Sequence, residues 1–157
     1  MKLSELLGEE VVLLDFRAAD KWAAIGSLVE ALIAHGRIRP EHRTQVLDAL
    51  IARENVASTG MGLGIAIPHA WTDLLEAGAA AVGISPQGVP FQSADGRPAT
   101  LIILLVSPRR NAQTHIRTLA AIARLLNYEE MRTALLNAKT PAEVLRIVKE
   151  EEDKEFG

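Results

Sequence analysis

The sequence predicts an α/β fold, a three-layer sandwich in which a mixed, mostly buried sheet is flanked by helices. Two apolar runs, 79–84 and 99–106, lack the polar alternation of a half-exposed strand, as strands covered on both faces require. Segments with helical periodicity stand before, between and after the strand-like runs. The chain has 157 residues, 48% hydrophobic and 24% charged, which fits one domain with a proper core. Aromatics make up only 4%, so Ala, Leu, Ile and Val must build that core.

Taken in order, Val11 to Leu14 reads as a first strand. Asp20 is placed as an N-cap for a helix whose apolar side is Trp22, Ile25, Leu28, Val29, Leu32 and Ile33, and Gly36 ends it as a C′ residue would. Pro40 suits the first turn of a second helix, with Val46, Leu47, Leu50 and Ile51 facing inward. Ser58 to Gly64 is too rich in glycine for an element interior and reads as a loop. Ile65-Ala66-Ile67 is a brief strand that Pro68 terminates. Strands at Ala79–Ile84 and Ala99–Val106 follow, and the Pro86, Gly88, Pro90 and Asp95-Gly96 signals between them indicate a loop or hairpin excursion. Ala112 to Leu126 is helical, with Ile116, Leu119, Ala120, Ile122 and Ala123 as its apolar face. Thr140-Pro141-Ala142-Glu143 is a capping box for a last helix running to about Glu150. No repeat or linker divides the chain, so residues 1–150 are expected to form one domain and residues 151–157 a solvated acidic tail.

Composition narrows the function classes. The chain has no cysteine, which removes disulfides, thiolate catalysis and cysteine metal sites. A net charge of −3 argues against a nucleic-acid partner. The first residues, Met1-Lys2-Leu3-Ser4-Glu5, lack a signal peptide's apolar stretch, and the longest apolar run, 99–106, is too short to span a bilayer. A cytoplasmic protein with no membrane insertion is the expectation.

Four histidines remain to be sorted. His35 falls at a helix C-terminus, where the dipole favours a structural imidazole, and His42 lies in a polar turn. His69 is set differently. It follows a short strand and a proline, at the carboxyl end of a strand, where open α/β sheets place ligands. Gly60, Gly62 and Gly64 precede it and would let backbone N–H groups approach an anion. His115 begins the 112–126 helix, whose N-terminus suits an arriving phosphate and should depress the imidazole's pKa. Helical spacing puts it on the face of Leu119 and Ile122, pointing inward or along the sheet's edge.

The stretch Arg53-Glu54-Asn55-Val56-Ala57-Ser58-Thr59-Gly60-Met61-Gly62-Leu63-Gly64-Ile65-Ala66-Ile67-Pro68-His69-Ala70 resembles the active-site signature of type-2 enzyme IIA domains of the bacterial phosphotransferase system. That fructose, mannitol and nitrogen-regulatory family has an acidic or amide residue, an STG turn and a GxAIPH ending in this order. Pro90-Phe91, Asp95-Gly96-Arg97-Pro98 and the position of His115 are similar to the family's later segments, so the likeness runs from about Leu3 to Lys149.

The resemblance implies a phosphorelay component, a protein-histidine phosphotransferase, in which His69 accepts and donates the phosphoryl group and His115 orients it. It further implies that Arg53 pairs with the phosphoryl oxygens, that Ser58, Thr59 and Gly60 are candidate phosphoryl contacts, and that no cofactor or metal is needed. Arg109 and Arg110 are basic residues near the same rim. The implied donor is a phosphohistidine carrier protein, for which Met61, Leu63 and Trp71 would form a docking rim. The implied recipient is a downstream regulated protein or a transporter subunit. A chain without fused carrier or membrane segments resembles the nitrogen-regulatory type, which signals through its phosphorylation state. The alternatives are a sugar-specific subunit handing phosphate to a fructose- or mannitol-type transporter, and a partner-binding domain that is never phosphorylated.

Overall fold

The computed structural model describes residues 1–156. Its strands are β1 (Val12–Leu13), β2 (Gly60–Gly62), β3 (Ile65–Ala66), β4 (His69–Thr72), β5 (Ala79–Val89) and β6 (Ala99–Pro108). Its helices are α1 (Leu3–Leu6), α2 (Lys21–Ala34), α3 (Arg43–Val56), α4 (Ala112–Leu126), α5 (Glu129–Asn137) and α6 (Pro141–Phe156). The strands make one mixed sheet in the order β1-β5-β6-β3-β2, with β4 also paired to β6. β5 and β6 are antiparallel, while β1 runs parallel to β5, and β3 and β4 run parallel to β6.

Every residue from Ala79 to Ser85 and from Leu101 to Pro108 is buried, so both sheet faces are covered, as the unbroken apolar runs require. Val82 and Ile103 meet Leu3, Ile122, Met131 and Val144, which places α1, α4, α5 and α6 on one face. α2 and α3 pack on each other and against β5 and β4, forming the second helical layer. The predicted three-layer sandwich is the observed one.

The ends of α2 are those its capping residues dictate. Asp20 Oδ1 accepts from Ala23 N–H at 2.9 Å. At the other end Arg37 N–H reaches Leu32 O (2.8 Å) and Gly36 N–H reaches Ile33 O (3.2 Å), closing a Schellman turn around Gly36 at φ +74°. In α6, Thr140 Oγ1 accepts from Glu143 N–H (3.1 Å), while Glu143's carboxylate accepts from Lys139 N–H, one residue ahead of the cap.

Several expectations are corrected. α6 does not stop near Glu150 but continues to Phe156, so the acidic end is not a fraying tail. Glu152 explains this: it is buried, and its carboxylate accepts from both Ser4 N–H (3.2 Å) and Ser4 Oγ, tying the last helix to the first. Gly157 lies outside the described residues. β5 and β6 form the hairpin that the sequence allowed, but β5 runs on through Pro86 and Gly88, which mark an irregularity in its pairing with β6: proline donates no ladder bond and Gly88 sits at φ +83°. Gly60–Gly62 pairs with β3 as a short antiparallel strand within the glycine loop. Trp22 and Ile116 are exposed where an inward position was expected, and Lys21 and Thr118 are buried, while His115 points inward as its spacing with Leu119 and Ile122 indicated.

Candidate active site

His69 owes its position to an interrupted strand. Pro68 donates no ladder bond, yet its carbonyl accepts from Leu105 N–H at 3.0 Å and keeps the chain on β6. Pairing resumes at once, with His69 opposite Leu105 and Trp71 opposite Ser107. The sequence places His69 after a finished strand; the structure makes it the opening residue of the next. The ring is half-buried, and its Nδ1 lies 2.7 Å from Ile67 O. A carbonyl can only accept, so Nδ1 carries the hydrogen and Nε2 keeps a free lone pair. Burial and the nearby Arg53 charge hold the ring's pKa below its ordinary value, outweighing the opposing pull of Ile67 O and Glu54. At neutral pH the ring is therefore uncharged.

His115, in the first turn of α4, is 2% exposed and its ring centroid lies 5.5 Å from that of His69. Trp71 meets it edge-on at the same separation. Its Nδ1 is 2.7 Å from Ser107 Oγ, while Nε2 is buried without a protein partner. The pKa is pushed down to about 4, first by desolvation and then by His69. The neutral ring anticipated from the helix dipole is present, but burial is its main cause. Arg53 lines the same cavity with one guanidinium nitrogen on Ala57 O at 2.8 Å, together with Arg109, Ile116 and Leu119. Arg109 also pairs with Asp73 at 3.4 Å, whereas Arg110 is turned to the carbonyls of Leu75 and Glu76. His35 and His42 do not line this cavity.

Of the other three candidate phosphoryl contacts, Ser58 and Thr59 line a second cavity with Arg53 and His69, and all three make hydrogen bonds within or beside the loop. Thr59 donates its N–H (2.8 Å) and its hydroxyl (2.6 Å) to the Glu54 carboxylate. Ser58 Oγ donates to Phe91 O and accepts from Gly60 N–H at 3.1 Å. A Cβ on Gly60 would collide with Ser93 and Phe91, so close packing dictates that glycine. Leu63, at φ +59°, donates its N–H to Asp95 (2.9 Å). These loop donors hold the loop's own shape instead of standing open for an anion.

Sequence reasoning missed what holds the loop in place. Glu54, 2% exposed, takes both Thr59 donors and pairs with Lys21 Nζ at 3.2 Å, itself a buried lysine. Thr59 O accepts from Ile67 N–H at 3.2 Å, and Ile67 O fixes His69, so a continuous chain of polar contacts links Lys21 to the imidazole. Glu54 lies inside the quoted motif, but nothing local marks Lys21, at the start of a helix, as a buried cation.

Together these features define a cavity built around two uncharged imidazoles and an arginine, suited to an anionic group at His69. Residues 5–151 match the family described as "Phosphoenolpyruvate-dependent sugar phosphotransferase system, EIIA 2". The chain is 34% identical over 148 residues to the "PTS system fructose-specific EIIA component" of Haloferax volcanii, covering 94% of this chain and 95% of that protein. Among solved structures, the nitrogen regulatory protein IIA-Ntr of Neisseria meningitidis superposes with a TM-score of 0.85 at 26% identity, covering 93% of this chain and 98% of that one. The mannitol enzyme IIA of Escherichia coli, solved in complex with phosphorylated enzyme IIB, gives 0.77 at 28% identity, covering 92% and 97%. The chain belongs to the type-2 EIIA family, and is a phosphotransferase-system component of the phosphocarrier kind. Among the described residues no helix is long and apolar enough to cross a membrane.

Proposed function

We propose that His69 Nε2 accepts a phosphoryl group from a phosphohistidine carrier protein and passes it to a second protein in the cytoplasm. The observation that carries this reading is the pair of uncharged imidazoles 5.5 Å apart, with the Nδ1–H of His69 committed to a backbone carbonyl. In the transfer, the Nε2 lone pair attacks phosphorus in line with the donor nitrogen. The donor N–P bond breaks with its electrons returning to that nitrogen, and a new N–P bond forms on His69. The retained Nδ1–H leaves positive character on the phosphorylated ring, which the Ile67 carbonyl stabilises. Arg53 has guanidinium donors beyond the one held by Ala57 O, and these suit the phosphoryl oxygens. The exposed apolar side chains Met61, Trp71 and Ile116 line the cavities at His69 and offer a docking rim, with exposed Leu63 nearby in sequence and Arg109 supplying positive charge.

Two destinations for the phosphoryl group have support. The similarity to IIA-Ntr favours a regulatory protein that signals by its phosphorylation state. The similarity to a fructose-specific EIIA component nearly coextensive with this chain favours hand-off to a sugar-specific acceptor domain, and shows that chain length does not separate the two. Loading with phosphorylated carrier protein, then adding a fructose-type EIIB domain, tests both steps. Label that moves to EIIB selects the sugar role, and label retained on the chain selects the regulatory one. A chain that never takes up label removes the proposal. His115→Ala should still accept the group but pass it on poorly, and unaltered onward transfer would take His115 out of the mechanism.

A further inference from the structure

We infer that Ser107 is a positioning residue that sets the tautomer of His115 and thereby decides whether Nε2 of that ring offers a hydrogen or a lone pair to a group carried on His69. The inference rests on the reading of His69 as a phosphoryl acceptor. Ser107 lies on β6 opposite Trp71, two residues from the partner of His69, and is 6% exposed. Its Oγ is 2.7 Å from His115 Nδ1, and the ring's Nε2 is buried with no protein partner among the described residues.

A neutral imidazole has one donor and one acceptor, so the hydroxyl can meet Nδ1 in two ways. If Nδ1 donated to Ser107, Nε2 would be a bare lone pair on a ring 5.5 Å from that of His69, whose own Nε2 is bare because its Nδ1–H is held by Ile67 O. Two bare nitrogens would then stand on rings lining one cavity, and the oxygens of an incoming phosphoryl group, acceptors only, would meet a further acceptor. If Ser107 donates to Nδ1, Nε2 carries the hydrogen and can donate to those oxygens. The second arrangement removes the repulsion and satisfies a buried polar atom once the phosphoryl group arrives. The low pKa of His115 agrees with a ring that stays neutral, so that its tautomer and not its charge is the variable.

The test uses protein with 15N-labelled histidine, unphosphorylated, at pH 7.5, in native, Ser107→Ala and Ser107→Thr forms. Long-range proton–nitrogen spectra read the tautomer directly. The native protein should show His115 with hydrogen on Nε2, Ser107→Ala should show a mixture, and Ser107→Thr should restore the native pattern. Onward phosphoryl transfer should slow about tenfold in Ser107→Ala, the scale of one hydrogen bond's net contribution, and recover in Ser107→Thr. Native protein with hydrogen on Nδ1 overturns the inference, as does a Ser107→Ala protein with unchanged tautomer and rate. Failure of the native chain to take up phosphate would instead remove the reading of His69, while the spectra still decide the role of Ser107.

Discussion

Lowering the pH from 7.5 to 4.5 should cost the native protein more stability than a His115→Gln variant, because His115 is buried as a neutral ring. Its pKa in the fold is about 4, against about 6.5 in an unfolded chain. As pH falls through 6.5 the unfolded state takes up a proton that the folded state refuses until near pH 4, so stability is present above the unfolded value and lost through that window. Linkage between those two pKa values gives a loss of about 2.5 kcal/mol at pH 4.5 from this one group. His69 adds a loss of the same sign, since its pKa is also lowered. Urea unfolding of both proteins at the two pH values isolates the His115 part, because His69 and the carboxylates titrate in each. Parallel losses in the two proteins would refute the claim that burial holds His115 neutral.

Other substitutions probe the supports of the site and fold. Glu54→Ala strands the buried Lys21 without its 3.2 Å partner and frees both Thr59 donors, and should cost about 3 to 5 kcal/mol in chemical denaturation. The paired change Lys21→Met with Glu54→Leu should cost less than Glu54→Ala alone. Gly83→Ala would bring a Cβ within 2.9 Å of the buried Phe16 ring and should destabilise by about 1 to 3 kcal/mol, with Phe16→Leu relieving most of it. Thr140→Ala removes the side-chain cap of α6 and should cost about 1 kcal/mol, read as a lower thermal midpoint.

Where one local rule decided an element, the sequence was a sufficient guide. Asp20 and Gly36 bound α2 because side-chain capping and left-handed φ are properties of single residues. The runs in β5 and β6 are uniformly apolar because both faces are covered. The misreadings arose where tertiary partners overrode local pattern. Glu150 to Glu155 looks like a tail until Ser4 is seen to bind Glu152. On α4, His115 was placed inward and is buried, but Ile116 was put inside with the apolar residues, whereas Thr118 takes that side because its hydroxyl donates to Met1 O. α1 and α5 are short or weakly patterned and went unread. In the site, His69, His115 and Arg53 are brought to one cavity. Ser58 and Thr59 line a second cavity with Arg53 and His69, and the hydrogen bonds of Thr59 and Gly60 to Glu54 and Ser58, which local pattern does not show, also shape the loop.

The account stands on the free Nε2 of His69 being the atom that receives phosphate. Intact-mass measurement after incubation with phosphorylated carrier protein, followed by phosphorus–nitrogen coupling in labelled protein, tests that atom directly. A single added phosphoryl group, stable in alkali, labile in acid, coupled to Nε2 and absent from His69→Ala, is the predicted result. Equal labelling of His69→Ala, or coupling to Nδ1, would contradict it.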